Sequence, residues 1–275
     1  MENKELDALK PDALSPVATL AKAVGIGVGK TKMLPGRMFI SAMLAGAFIA
    51  FGGLYFCVFL GDPAMPFAAQ RIVGGICFCL GLVLVVCTGV ELFTGNSLMV
   101  CALVDKKIGI GPLLKNWVIV WIGNLVGSLI AVALIYLAAT PALGGGGVGE
   151  AMVNVAAGKV ALAPATIFFK GIMCNVFVCL AVWVAFSART VADKVLGVLL
   201  PISAFVAAGF EHCVANMSFL PMGLLLNTTG IGDAGLVTLG GVMTNLCFAT
   251  LGNIVGGALV GLAFWAINCA VKSDK

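Results

Sequence analysis

The stretch GVELFTGN, Gly89 to Asn96, recurs 120 residues later as GFEHCVAN, Gly209 to Asn216. Both fit G-x-E-x4-N, and both lie inside strongly apolar sequence. A Glu flanked by Gly and Asn inside such a run predicts a helix that breaks and restarts. At membrane depth an irregular backbone survives only where protein or a water-filled cavity satisfies its N–H and C=O groups. Two such breaks with one spacing predict a duplicated membrane fold with an interior path.

Composition places the chain in the membrane. Of 275 residues, 61% are hydrophobic and only 10% are charged, against roughly 25% charge in a soluble domain. Uncharged runs cover Met38–Leu60, Ile72–Val90, Asn116–Gly149, Gly171–Ser187 and Ala234–Val271, and about 20 apolar residues make a span. We read six spans, near 38–60, 70–105, 113–138, 160–188, 195–226 and 239–270. The expected fold is an all-α membrane protein with six transmembrane helices, the second and fifth of them broken.

The basic residues sort by side. Lys4, Lys10, Lys22, Lys30, Lys32 and Arg37 precede the first span. Lys106, Lys107 and Lys115 lie between spans two and three, Arg189 and Lys194 between four and five, and Lys272 and Lys275 in the tail. Only Arg71, Lys159 and Lys170 remain for the other side or the interior. The positive-inside rule then puts both termini in the cytoplasm. No basic segment runs into a short apolar one at the start, so no cleaved signal peptide is expected. SPVATLAKAVGIGVGK, from Ser15, reads as a weakly amphipathic helix lying on the cytoplasmic face. The net charge of +4 comes from span ends and implies no nucleic-acid partner. Ten cysteines are scattered through the spans. Cys77 and Cys79 have no His nearby and no second pair, so neither a metal nor a disulfide framework is expected, and the cysteines read as small packing residues.

A second pattern supports the duplication. NWVIVWIGNLVG from Asn116 and NLCFATLGNIVG from Asn245 both fit N-x6-G-N-[LI]-V-G. The halves are residues 38–140 and 160–270, with 1–37 as a cytoplasmic N-terminal segment. Three spans per half is an odd number, so the second half is inverted, a design that puts the transport site at the repeat interface. The small residues of GNLVG and GNIVG predict close helix approach.

Each break turns the N-terminus of its second half-helix inward, and unpaired N–H groups with aligned dipoles favour an anion there. Glu91 and Glu211 oppose that sign. We expect them to be structural, each accepting bonds from backbone amides of its own break, with Asn124 and Asn253 as further donors. His212 is the only histidine, and it lies in the second break. Histidine is the side chain that titrates near neutral pH, which suits this residue to gate the path or lend a proton to a weak-acid anion. Thr94, in the opposite break, offers it a hydroxyl. Of Lys159 and Lys170, one draws anions inward, with Lys159 lining an outer vestibule and Lys170 snorkelling at the boundary. Phe78, Leu82, Leu92, Phe93 and Phe205 are candidate constriction residues.

ELFTGN, NWVIVWIGNLVGS, FFKGIMCNVFVCLAVW and GFEHCVANM, in this order, resemble the signatures of the formate/nitrite transporter family over nearly the whole chain. The resemblance implies an aquaporin-like protomer in a homopentamer, in a bacterial cytoplasmic membrane, with one pore per protomer. It implies passage of small monovalent anions such as formate, nitrite, hydrosulfide or acetate, and no cofactor. It implies Thr94 in the loop of span two, His212 at the pore centre, Lys159 in the outer vestibule and Asn175 near the pore. It assigns Leu82, Leu92 and Phe78 to a cytoplasmic constriction and Phe205 to an outer one, and makes the N-terminal segment a pH-sensitive gate. GGICFCLGLVLVV and MPFAAQRIVGG are more similar to formate channels, ELFTGN and LAPATIFFKG to nitrite channels.

Two other classes compete. A neutral-solute pore for water, glycerol or ammonia would carry paired Asn-Pro-Ala motifs, which the sequence lacks. A membrane enzyme using Glu211 and His212 would need a nucleophile, metal set or phosphate loop, and none accompanies them.

Overall fold

A computed structural model of the chain describes residues 12–231 and 237–273. Lys4, Lys10 and Lys275 lie outside the described residues. Among the described residues ten helices follow in order: α1 Pro16–Thr31, α2 Pro35–Leu60, α3 Phe67–Thr88, α4 Phe93–Val104, α5 Ile110–Leu137, α6 Gly147–Val160, α7 Pro164–Ser187, α8 Val191–Ala207, α9 Cys213–Asn227 and α10 Leu239–Ser273. Helix α4 tightens to a 3-10 turn at Ser97–Met99. A seven-residue 3-10 segment, Thr140–Gly146, leads into α6.

Local chemistry sets the ends. Ser15 caps α1, its Oγ accepting from the Ala18 amide at 3.3 Å, so the amphipathic helix expected from Ser15 is present. Pro35 and Pro164 open α2 and α7, where a missing N–H costs nothing. Helix α3 stops at Gly89, and the turn after α8 passes through Gly209. Their φ values are +73° and +69°, a left-handed conformation that glycine adopts without penalty. The helices restart at Phe93 and Cys213, so the interruptions fall inside the two quoted stretches.

Among the described residues, five helices, α2, α3, α5, α7 and α10, are long and apolar enough to cross a membrane. The polarity is inside out relative to a soluble protein. Asn116, Asn124, Asn175, Asn245 and Asn253 are fully buried and Glu91 and Glu211 nearly so, while Ile40, Leu44, Tyr55, Leu134, Phe169 and Leu200 are exposed. Such an apolar exterior suits lipid or another subunit.

Packing repeats with the sequence. Helix α2 lies against α3 and α5, and α7 against α8 and α10; α3 and α8 join the two sets. The glycines of the N-x6-G-N-[LI]-V-G pattern do the packing expected of them. A Cβ on Gly127 would overlap the Met43 carbonyl, and one on Gly256 would overlap the Ile172 carbonyl. Residues 43 and 172, like 127 and 256, are 129 apart. Helices α1 and α6 also take matching places. Helix α1 packs on α4 and α7, and α6 packs on α9 and α2.

Candidate functional site

The two breaks are held by one wiring scheme. In the first, Asn124 Oδ1 accepts from the Phe93 amide at 2.9 Å, and Asn124 Nδ2 donates to the Glu91 carbonyl at 2.9 Å and the Ala42 carbonyl at 2.7 Å. In the second, Asn253 Oδ1 accepts from the Cys213 amide at 2.8 Å, and its Nδ2 donates to the Glu211 carbonyl at 2.9 Å and the Gly171 carbonyl at 2.8 Å. Each asparagine thus satisfies one donor and one acceptor that the interrupted helix leaves open, and ties the turn to a neighbouring helix. Orphaned buried backbone groups are expensive, so these residues are what lets the helix stop.

The carboxylates are bound differently from the sequence expectation. Neither Glu91 nor Glu211 is held by amides of its own break, because Asn124 and Asn253 take the first amides of the restarting helices. Each carboxylate turns instead to a lysine and two asparagines. Glu91 meets Lys30 Nζ at 2.5 Å, Asn96 Nδ2 at 2.7 Å and Asn116 Nδ2 at 3.3 Å. Glu211 meets Lys159 Nζ at 3.0 Å, Asn216 Nδ2 at 2.7 Å and Asn245 Nδ2 at 3.0 Å. Asn124 and Asn253 donate to the main-chain carbonyls of these glutamates, not to their carboxylates. A buried carboxylate needs a counter-charge and full hydrogen bonding, and backbone amides alone would supply no charge.

Lys30, Asn116 and Asn245 were not assigned roles from the sequence, although a signal exists. GKTKMLPGRMF from Gly29 and GKVALAPATIF from Gly158 share G-K-x4-P-x3-F, with the lysines 129 positions apart. The two asparagines are the first residues of the N-x6-G-N pattern.

Between the breaks, His212 and Thr94 meet at 3.0 Å, Nε2 to Oγ1. Both are buried. The His212 Nδ1 accepts from the Ala215 amide at 3.0 Å, which makes the ring the N-terminal cap of α9. A nitrogen that accepts carries no hydrogen, so in the neutral ring the proton sits on Nε2 and points at Thr94. Asn175 holds the Thr94 side in place. Its Nδ2 lies 3.2 Å from the Thr94 carbonyl, 3.2 Å from Ser97 Oγ and 2.6 Å from the Asn253 carbonyl.

A cavity of about 570 Å³ opens on the Lys159 side and reaches His212. Phe78 and Phe205 line it with rings edge to face at 5.8 Å, and Phe205 stacks on the His212 ring at 5.9 Å. Phe78, grouped by the resemblance with Leu82 and Leu92, therefore shares a wall with Phe205. Leu82, Leu92 and Phe93 are buried and do not line this cavity; Phe93 packs edge-on against Trp117 at 6.3 Å. Lys159 and Lys170 both line it. Phe219, unassigned from the sequence, adds an aromatic floor under Lys159, whose Nζ lies 5.7 Å from the ring centre. Among the described residues no group of three or more His, Cys, Asp or Glu is placed to hold a metal ion.

The sequence profile described as formate/nitrite transporter matches residues 17–266. The chain belongs to the formate/nitrite transporter family. Within that family it is 39% identical to the formate channel FocA of Escherichia coli K12 over 270 residues, covering 93% of this chain and 95% of that protein. It is 40% identical over 275 residues to a probable formate transporter of Methanothermobacter thermautotrophicus, covering 91% and 96%. Among solved structures, a pentameric formate channel with formate bound superposes with a TM-score of 0.80 at 37% identity, covering 86% of this chain and 98% of that one. An ion channel of the same family superposes at 0.79 with 29% identity, covering 91% and 98%. The formate/nitrite transporter family is one of channels and transporters, and this chain is accordingly a membrane transport protein.

Proposed function

We propose that this protein is a pH-dependent channel for formate and related small weak-acid anions. Six crossings form it: α2, the broken pair α3–α4, α5, α7, the broken pair α8–α9, and α10. The second set of three is inverted on the first, in an aquaporin-like protomer. By relation to the pentameric formate channel, five copies assemble in a bacterial inner membrane. The basic residues place both termini in the cytoplasm, with the Lys159 cavity facing out.

The observation that carries the reading is the 3.0 Å contact of Thr94 with His212. It joins the two breaks at the floor of a cavity whose walls are aromatic and whose mouth is basic. Lys159 draws the anion in, Phe205 and Phe78 narrow the way to His212, and Leu82 and Leu92 narrow the other side. Asn175 fixes the backbone that carries Thr94. Stripping a bare ion of water costs several kcal/mol or more. Protonating a carboxylate of pKa near 4 at neutral pH costs about 4 kcal/mol. The anion therefore crosses the narrow waist more cheaply as its neutral acid. The Ala215 amide occupies Nδ1, so the neutral ring meets the anion through Nε2–H. It hands that proton on only if Nδ1 first leaves the amide and takes up a proton, because a neutral ring that simply lost Nε2–H would be left as an imidazolate.

The test is uptake of labelled formate into proteoliposomes at about pH 5 and about pH 7, with wild type and His212→Phe. Wild type should differ between the two, and the variant should lose most of that difference, about tenfold in the flux ratio. An unchanged pH dependence in the variant would remove His212 from the pathway. Nitrite, hydrosulfide and acetate in the same assay rank the anions.

A further inference from the structure

Three cations line the Lys159 cavity, and they are not equivalent. Lys159 is committed to Glu211. Arg71 donates Nε to the Ala207 carbonyl at 2.9 Å and Nη2 to the Val206 carbonyl at 2.8 Å, closing the end of α8. Lys170 is half-buried, and among the described residues its Nζ has no hydrogen-bond or ion-pair partner. Its main-chain carbonyl accepts from the Glu211 amide at 3.3 Å, which fixes the residue beside the break that carries His212.

The other repeat shows what this position does when no charge is wanted. Ser41 lies 129 residues before Lys170, and its Oγ accepts from the Glu91 amide at 3.1 Å. The same turn is thus tied by a side chain in one repeat and by a main-chain carbonyl in the other. That substitution releases the Lys170 side chain into the cavity. Glu150 also lines this cavity but forms no ion pair with Lys170 among the described residues.

We propose that Lys170, with the Arg71 guanidinium lining the same cavity, is an anion-capture site at the mouth of the cavity. It holds a small oxyanion such as a carboxylate before the anion reaches Lys159 and His212, and it has no counterpart at the opposite mouth. This inference rests on the channel reading above. A cation in a cleft raises the local anion concentration, and salt screens it. Detailed balance makes low-concentration permeability equal in both directions, so the signature is one-sided saturation.

The experiment compares right-side-out and inside-out membrane vesicles carrying wild type, Lys170→Ser and Lys170→Arg. The serine variant copies the other repeat and leaves the structural carbonyl in place. At low ionic strength its half-saturating formate concentration, for flux starting from the Lys170 face, should rise about fivefold. The rise should shrink in high salt, flux from the opposite face should keep its half-saturation, and the arginine variant should behave as wild type. No rise, an equal rise from both faces, or an arginine variant that behaves like the serine one overturns the site. If wild type passes no formate at all, the channel reading fails instead. The site is then tested by line broadening of ¹³C-formate with the purified protein. Broadening that falls in Lys170→Ser and returns in Lys170→Arg supports the site, and equal broadening in wild type and Lys170→Ser overturns it.

Discussion

The first and second breaks share a skeleton and differ in chemistry. Gly89 and Gly209 take the same left-handed turn, Asn124 and Asn253 make the same three bonds, and Glu91 and Glu211 each hold one lysine and two asparagines. At the position where the second break carries His212, the first carries Leu92, 120 residues earlier. Where the second carries Lys170, the first carries Ser41. The duplicated residues build the loops, and the residues that differ between copies are the ones on which the proposed path and anion site rest.

The comparison breaks most visibly at the helix crossings. Gly127→Leu and Gly256→Leu would each drive a side chain into a neighbouring backbone carbonyl with no room to move. Both should abolish recovery of monodisperse protein in detergent, and a well-behaved variant of either would show that the two crossings are not equally tight. The loop asparagines come next. Asn124→Ala and Asn253→Ala each orphan buried backbone groups, and both should cost about 3 kcal/mol or more, read as a matched drop in thermal midpoint. Glu91→Ala and Glu211→Ala each strand a lysine at the edge of the interior. Because those lysines are partly exposed, we expect about 2–3 kcal/mol, and a clear inequality between the two variants would mean that the lysine pairs are not equivalent.

The smallest effect sharpens the contrast between the starts of α3 and α8. Helix α8 has a capping box: Thr190 Oγ1 accepts from the Asp193 amide at 3.1 Å, and Asp193 Oδ2 accepts from the Thr190 amide at 2.9 Å. Helix α3 begins after Pro66 with no side-chain cap. The bonds from Thr190 hold the Asp193 carboxyl below its usual range. A carboxyl depressed by folding stabilises the protein above its unfolded pKa, and that contribution disappears as pH falls through the folded value. Asp193→Asn should therefore lower the thermal midpoint by at most about 2 °C near neutral pH, and the gap from wild type should close below about pH 4.

Much of this was legible in the sequence because it is written twice. The G-x-E-x4-N stretches located the turns at Gly89 and Gly209, since a turn that needs a positive φ advertises itself as glycine inside an apolar run. The Thr94–His212 pairing was also legible, because the two residues stand in the two matching stretches, and they meet at 3.0 Å. The partners of Glu91 and Glu211 were not. A lysine at the end of a preceding helix is 61 residues from Glu91 and 52 from Glu211, and no local pattern carries a contact over that distance. Only the G-K-x4-P-x3-F match, which crosses the expected start of each repeat, could have pointed to Lys30 and Lys159 together.

Lys30 belongs to α1, a helix that composition marks as peripheral, yet its ammonium covers a carboxylate in the interior. The front of the chain is thus no removable leader. Trimming it back to the first long span, a common convenience in recombinant work, would leave Glu91 without its counter-ion and unsettle the turn that carries it. An affinity handle is better placed ahead of Ser15, where the capped start of α1 stays intact.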